Sequence, residues 1–225
     1  MEKIFERLER LIGKDGLDKL RCAHIAVFGV GGVGGYVAEA LARSGVGALT
    51  LIDKDTVTES NINRQVVAYR STIGKAKTDV MRDIINDINP DCKVFTYTRA
   101  YSASDNEFID FDGLDYIIDA IDDVDAKLTL IKNAIAKNVP IISVMGAGNK
   151  LIPQFEVADI SKTTMCPLAK IMRVKLRAIG ITHLDVVYSK QEPKKSGVAV
   201  GSIVTVVGTA GLLTANYVMD KLIKS

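Results

Sequence analysis

Four side chains in this sequence are of types that can act together on a phosphate: Asp53, Arg64, Lys77 and Asp122. Two cations and a carboxylate able to hold magnesium are what attack on an α-phosphate requires. The cations stabilise charge that develops on the transferred phosphorus and on leaving pyrophosphate. A carboxylate-bound magnesium ion neutralises the polyphosphate. Hydride transfer needs none of these groups. Each residue also has an ordinary reading. Taken singly, Arg64 and Lys77 are solvated surface charges. Asp122 could cap a helix that starts near Val124, and Asp119 and Asp123 stand beside it as rivals.

The elements that must position these groups are legible around them. An apolar run, residues 24–28, ends directly in Gly29-Val30-Gly31-Gly32-Val33-Gly34. A helical pattern over residues 36–43 follows, and a second apolar run, residues 49–52, ends in Asp53. Strand, glycine turn, helix, strand and acid in this order form the dinucleotide-binding fingerprint. Gly29, Gly31, Gly32 and Gly34 permit a tight turn and a close approach of backbone to phosphate. The helix that follows offers unpaired N–H groups and the positive end of its dipole. Asp53 can accept both ribose hydroxyls. The plain alternative is an ordinary tight strand–helix turn, but the acid at this spacing predicts an adenine-nucleotide site.

Further along, helical character over residues 3–20 is broken near Gly13 and Gly16, and residues 54–71 are polar and irregular. A helical pattern spans residues 74–88 and stops at Asn89-Pro90. Strand patterns at residues 93–98, 116–118 and 140–144 are separated by a connection at residues 108–113 and a helix at 126–137. The second of these strands runs into Asp119-Ala120-Ile121-Asp122-Asp123, and the third ends at Gly146. This alternation predicts an α/β fold, a Rossmann-like doubly wound and mostly parallel sheet. Ligands in such sheets lie beyond the carboxyl ends of the strands, where Asp53, Arg64, Lys77 and Asp122 can converge. Beyond Gly148 the pattern predicts a strand at 154–157, a basic helix at 167–179, a strand at 185–188 and a mobile loop at 191–197. A buried strand at 202–207 then leads into a helix at 209–222. No linker separates these parts. The expectation is one domain over residues 1–225, with a nucleotide-binding core at 1–150 and a C-terminal extension at 151–225 that contacts substrate.

Composition bounds the rest. The 225 residues are 48% hydrophobic and 25% charged, with net charge +2, as expected of a globular chain with a sizeable core. The charge is uneven: residues 1–150 carry 19 Lys/Arg against 22 Asp/Glu, and residues 151–225 carry 10 against 5. That asymmetry suits an anionic macromolecule near the C-terminal third. Three scattered cysteines, Cys22, Cys92 and Cys166, point to a reducing compartment and a cytoplasmic protein. No CxxC pair is present to suggest a zinc knuckle. Residues 198–219 lack charge for long enough to span a bilayer. Their threonines and glycines fit a buried strand and helix better, so no membrane span is expected.

Taken together, GxGGVG, DxDxVxxSNxNRQ, GxxK and DAID resemble the activating-enzyme family of ThiF, MoeB and HesA, relatives of the ubiquitin-activating enzymes. Within it, RLIG at 10–13, LARSGVGALTLID at 41–53, MGAGNK at 145–150, CPLAK at 166–170 and VVYSKQEP at 186–193 are most similar to the tRNA threonylcarbamoyladenosine dehydratase branch. The resemblance covers nearly the whole chain. It implies ATP-dependent adenylation of a carboxylate, here the threonyl carboxylate of threonylcarbamoyladenosine beside a tRNA anticodon, followed by ring closure with loss of AMP. By motif matching, Asp53 would hold the ribose. Asp55, Asn61, Asn63, Arg64, Gln65, Ala120 and Ile121 would line the nucleotide, and Lys77 would contact phosphates. Asp122 would bind magnesium. Arg7, six residues before Gly13, matches an arginine that reaches the phosphates of a neighbouring subunit, so the family implies a homodimer. A cysteine desulfurase/sulfur-acceptor system is a further partner the family leaves open.

Alternatives stand beside this reading. The missing CxxC pairs speak against adenylation of a ubiquitin-like sulfur carrier. A NAD-binding redox protein would leave Arg64, Lys77 and Asp122 without a role, and a nucleotide-binding regulator without turnover would not need the full set. Arg7 lies on a charged helical face and could simply form an ion pair. Cys166 could be an activated nucleophile or a loop cysteine packed on Leu168; the second is favoured, because ring closure by an internal group needs no thioester. His24 reads as structural, and His183 has no visible acid partner. Lys170, Arg173, Lys175 and Arg177 are either a solvated face or a contact for the tRNA backbone.

Overall fold

The computed structural model describes residues 3–194 and 200–224. Seven strands form one sheet in the order β3-β2-β1-β4-β5-β7-β6. They are β1 (His24–Phe28), β2 (Ala48–Ile52), β3 (Lys93–Tyr97), β4 (Tyr116–Asp119), β5 (Ile141–Val144), β6 (Glu156–Asp159) and β7 (Asp185–Tyr188). All neighbours pair in parallel except β6, which runs antiparallel to β7 at the edge. The helices are α1 (Glu6–Cys22), α2 (Gly34–Arg43), α3 (Lys77–Ile88), α4 (Val124–Ala136), α5 (Pro167–Ala178) and α6 (Val204–Lys224).

Side chains of successive strand residues point to opposite faces, and β1 shows how this builds two cores. Ile25 and Val27 pack with Val37 and Leu41 of α2, Met81 and Ile85 of α3, and Ala210 and Val218 of α6. Ala26 and Phe28 face the other way, toward Leu130 and Ile131 of α4 and Met172 and Leu176 of α5. The strand order reverses between β1 and β4, whose register sets Phe28 opposite Asp119. A crevice therefore opens beyond the carboxyl ends of these two strands, where open α/β sheets bind ligands.

The expected break in the first helix falls at Gly13 (φ 76°, ψ 168°), while Gly16 stays helical and packs on Ile12 and Ile223. Two expectations are corrected. The helix read over residues 74–88 begins only at Lys77. Residues before it pair with the polar segment instead, through Gly74 N–H to Val57 O (2.8 Å) and a Thr56–Ala76 bridge. The strand read at 202–207 does not form; α6 runs unbroken from Val204. Its valines suggested a strand, but Val206, Val207, Ala210, Gly211, Thr214, Ala215 and Val218 are buried at helical spacing. Gly208 is thus a helical packing position rather than a turn. Packing against α2 overrides β propensity there. No helix among the described residues is long and apolar enough to cross a membrane. Of the mobile loop expected at 191–197, residues 195–197 lie outside the described residues.

Candidate functional site

The glycine turn is shaped by contact with the end of β4. Ala120 N–H donates to Phe28 O at 2.8 Å, which joins the two strand ends. Gly29 has φ +89°, and a Cβ on it would lie 2.7 Å from Ala120 O. A Cβ on Gly34 would lie 1.8 Å from Gly29 O, so no side chain fits there. Gly31 is different. The nearest atom to a Cβ there is Gln65 Nε2, at 3.9 Å, so the fold leaves open space where a phosphate would approach the backbone. Gly32 packs on Val207 of α6, which backs the turn from behind.

A cavity of about 290 Å³ opens on one side of this turn, lined by Gly29, Asp53, Asp55, Arg99, Tyr101, Ile121 and Asp123, among others. Asp53 stands at the end of β2. Its Oδ2 accepts from Val30 N–H at 2.7 Å and its Oδ1 from Asp55 N–H at 2.9 Å. Each oxygen keeps a lone pair for a further donor such as a ribose hydroxyl. Lys77 opens α3 with its side chain buried, and its ammonium lies 2.8 Å from Asp55 Oδ2.

A second cavity, about 380 Å³, lies on the other side of Ile121. Arg64, Ala120, Asp122, Gly146, Gly148, Leu168, Val200 and Ser202 line it. Arg64 Nη1 donates to Ser60 O (2.8 Å) and to Asn63 Oδ1 (3.0 Å). The three rival aspartates take three different roles. Asp123 is the N-cap of α4, accepting from Ala126 N–H at 2.8 Å. Asp119 is fully buried against Lys127. Asp122 is exposed and carries no hydrogen bond or ion pair among the described residues. One free carboxylate beside an arginine suits a magnesium ion that takes its remaining ligands from phosphate oxygens and water. Among the described residues no group of three or more His, Cys, Asp or Glu offers a cage built from protein alone.

The asparagines just before Arg64 divide similarly. Asn61 is buried and its Oδ1 accepts from Thr58 N–H at 3.1 Å, so it shapes the loop. Asn63 Nδ2 donates to Ser202 O at 3.0 Å and ties this loop to the segment before α6. Gln65 Oε1 is buried without a partner among the described residues, beside the open space at Gly31. Arg7 lies exposed on α1 and lines neither cavity, and its neighbour Arg10 takes the ion pair with Glu6.

His24 Nε2 lies 2.8 Å from Thr50 Oγ1 and burial lowers its pKa, in keeping with a structural role. His183 was expected to lack an acid, yet its Nδ1 is 3.1 Å from Asp159 Oδ2. The pairing of β6 with β7 brings them together across 24 residues. Cys166 is buried next to Gly146 and Leu168. On α5, Arg173 bonds Thr163 O and Oγ1 (2.9 and 2.6 Å) and Lys175 pairs with Asp125 (2.8 Å), whereas Lys170 and Arg177 have no such partner among the described residues. Sequence reasoning missed Arg99 and Tyr101, which follow β3. The rule that parallel sheets bind ligands beyond their carboxyl ends would have found them. It also missed Gly148, Val200 and Ser202, which only tertiary contact brings to the second cavity.

Comparison with known proteins gives the family and the fold. The sequence profile of the ThiF family matches residues 5–225. The tRNA threonylcarbamoyladenosine dehydratase of Bacillus subtilis is 42% identical over 241 residues, covering 98% of this chain and 94% of the relative. That of Haemophilus influenzae is 38% identical, covering 99% and 94%. The crystal structure of the Escherichia coli enzyme of this name in complex with ATP superposes with a TM-score of 0.92 at 36% identity, over 98% of this chain and 93% of that one. Fold, turn and whole-length similarity together place the chain in the ThiF family.

Proposed function

We infer that this chain is an ATP-dependent tRNA threonylcarbamoyladenosine dehydratase. Similarity to enzymes of that name runs over almost the whole chain rather than the nucleotide motifs alone, and this observation carries the reading. It also favours the dehydratase over activation of a ubiquitin-like sulfur carrier.

The two cavities divide the work. Asp53 and the space at Gly31 receive the ribose and phosphates of ATP, with Asp55, Gln65, Ala120 and Ile121 around them. Lys77 now pairs with Asp55 and exchanges that partner for the polyphosphate. Arg64 and Asp122 face the α-phosphate from the second cavity, where the threonyl carboxylate enters. A carboxylate oxygen attacks the α-phosphorus, the bond to the bridging oxygen breaks, and pyrophosphate leaves with its electrons. A nucleophilic atom of the carbamoyl group then attacks the activated carbonyl, loses its proton, and expels AMP as the ring closes. The sum is one water removed from the nucleoside and ATP converted to AMP and pyrophosphate. Asp122 would hold magnesium, which would neutralise charge on the phosphates.

The single domain then comprises a nucleotide core, residues 1–150, and a part at 151–225 that contacts the tRNA anticodon region. On α5, Lys170 and Arg177 are left for its phosphates. Arg7 serves a neighbouring subunit in a cytoplasmic homodimer. Mass spectrometry of nucleosides from tRNA carrying linear threonylcarbamoyladenosine tests the reading. Incubation with the protein, ATP and magnesium is expected to remove one water. An unchanged nucleoside, with AMP formed only when a sulfur-carrier protein is added, would move the assignment to carrier activation.

A further inference from the structure

Beneath the crevice lies a buried group that the reaction above does not use. Lys127 of α4, Asp119 of β4 and Ser143 of β5 are all fully buried. Lys127 Nζ donates to Asp119 Oδ2 (3.0 Å), Ser143 Oγ (3.1 Å) and Val144 O (2.9 Å), so its three donors are all spent. Ser143 Oγ donates to Asp119 Oδ2 at 2.5 Å, and Asp119 Oδ1 accepts from Ile121 N–H at 3.1 Å. No proton is free for chemistry. Every bond ends on backbone or side chain at the last residues of β4 and β5, immediately before the turns that carry Asp122 and Gly146.

A buried ion pair is a poor choice for stability alone. Its desolvation offsets most of its attraction, and well-packed apolar residues of similar volume serve as well or better. What it supplies is direction: an ammonium with three fixed acceptors orients two strand ends relative to one another. The carboxylate extends this by holding Ile121 N–H, one residue before Asp122.

We propose that Lys127, Asp119 and Ser143 form a positioning clamp that fixes the turn bearing Asp122 against the Gly146–Gly148 wall, and so sets the geometry in which metal-bound ATP is held. This rests on the assignment of Asp122 to magnesium. The three residues touch neither nucleotide nor metal; they act through the backbone of residues 120–122 and 144–146.

The test compares three variants of the full chain. Lys127→Met alone would strand a buried carboxylate and is uninformative if it unfolds, so it is avoided. Lys127→Met with Asp119→Leu removes both charges together, Lys127→Arg keeps the charge but replaces the three-donor ammonium with a planar guanidinium, and Ser143→Ala removes only the bridging hydroxyl. Binding of a fluorescent ATP analogue is titrated with and without magnesium, beside thermal melts and turnover of modified tRNA. The clamp predicts that the double variant melts within a few degrees of wild type. Its magnesium-dependent gain in affinity falls roughly tenfold or more, kcat falls, and the KM for tRNA stays unchanged. Lys127→Arg and Ser143→Ala lie between. Should the double variant fail to fold, these two decide. Folded variants with wild-type magnesium dependence and kcat would overturn the clamp. Wild-type protein that binds ATP without any magnesium dependence would instead remove the role of Asp122 on which it rests, and the clamp with it.

Discussion

Asp53 Oδ2 accepts the backbone N–H of Val30 at 2.7 Å, which fastens the end of β2 to the glycine turn 23 residues earlier in the chain. The acid of the fingerprint is therefore a brace for the turn as well as the proposed ribose acceptor. Charge-assisted hydrogen bonds of this kind are worth about 1.5–3 kcal/mol. Asp53→Ala is expected to weaken ATP binding by roughly ten- to a hundredfold through both roles. Asp53→Asn, which keeps an acceptor oxygen for Val30, should recover part of the loss. Calorimetric titration with ATP measures both, and equal affinities for the two variants would confine Asp53 to a single role.

Neighbouring aspartates should separate cleanly. Asp122→Ala is expected to lower adenylation about 100- to 1000-fold with an unchanged melting temperature, as is Arg64→Ala. Asp123→Ala removes a helix cap worth about 1 kcal/mol. It should lower the melting temperature by about 2–4 °C and leave turnover largely intact. Pyrophosphate release and a thermal melt on each protein give the comparison. Reversed phenotypes would reassign the metal carboxylate.

Two glycines of one turn should likewise behave oppositely. Gly34→Ala places a methyl carbon against Gly29 O and should cost about 3 kcal/mol or more, read as a shift in the denaturation midpoint. Gly31→Ala meets nothing closer than 3.9 Å. It should fold normally and lose ATP affinity at least tenfold, because its methyl group fills the phosphate approach. Normal ATP binding by Gly31→Ala would place the phosphates elsewhere.

Thiol chemistry offers an independent check of burial. Cys22 is exposed, whereas Cys92 and Cys166 are buried, and burial pushes the Cys92 thiol up to about 11. At pH 8 one thiol should react rapidly with a disulfide reagent and the other two only on unfolding. Rapid reaction of two or three thiols in the native protein would contradict the packing around β3 and α5.

How far the sequence leads depends on how local the signal is. The turn, Asp53 and the alternation of strands and helices are written in contiguous residues, and each is found where the pattern puts it. Motif matching singled out Asp122, but the residues by themselves did not: three aspartates within five residues look equivalent until one is seen to cap a helix and another to meet Lys127. The pair His183–Asp159 was invisible because strand pairing makes it. The strand read at 202–207 failed for the same reason. Valines favour strands where nothing else decides, and the small residues of α6 answer to α2, which lies far away in sequence.

That long-range contact governs when the site comes into being. Val207 and Gly211 press on Gly32 and Val33, yet roughly 170 residues of synthesis separate the turn from the helix that backs it. A nascent chain carries the complete nucleotide fingerprint long before it has the wall behind it. Nucleotide should therefore not bind until α6 has emerged from the ribosome and docked, so that the last helix described in the fold works as a timer for the earliest motif.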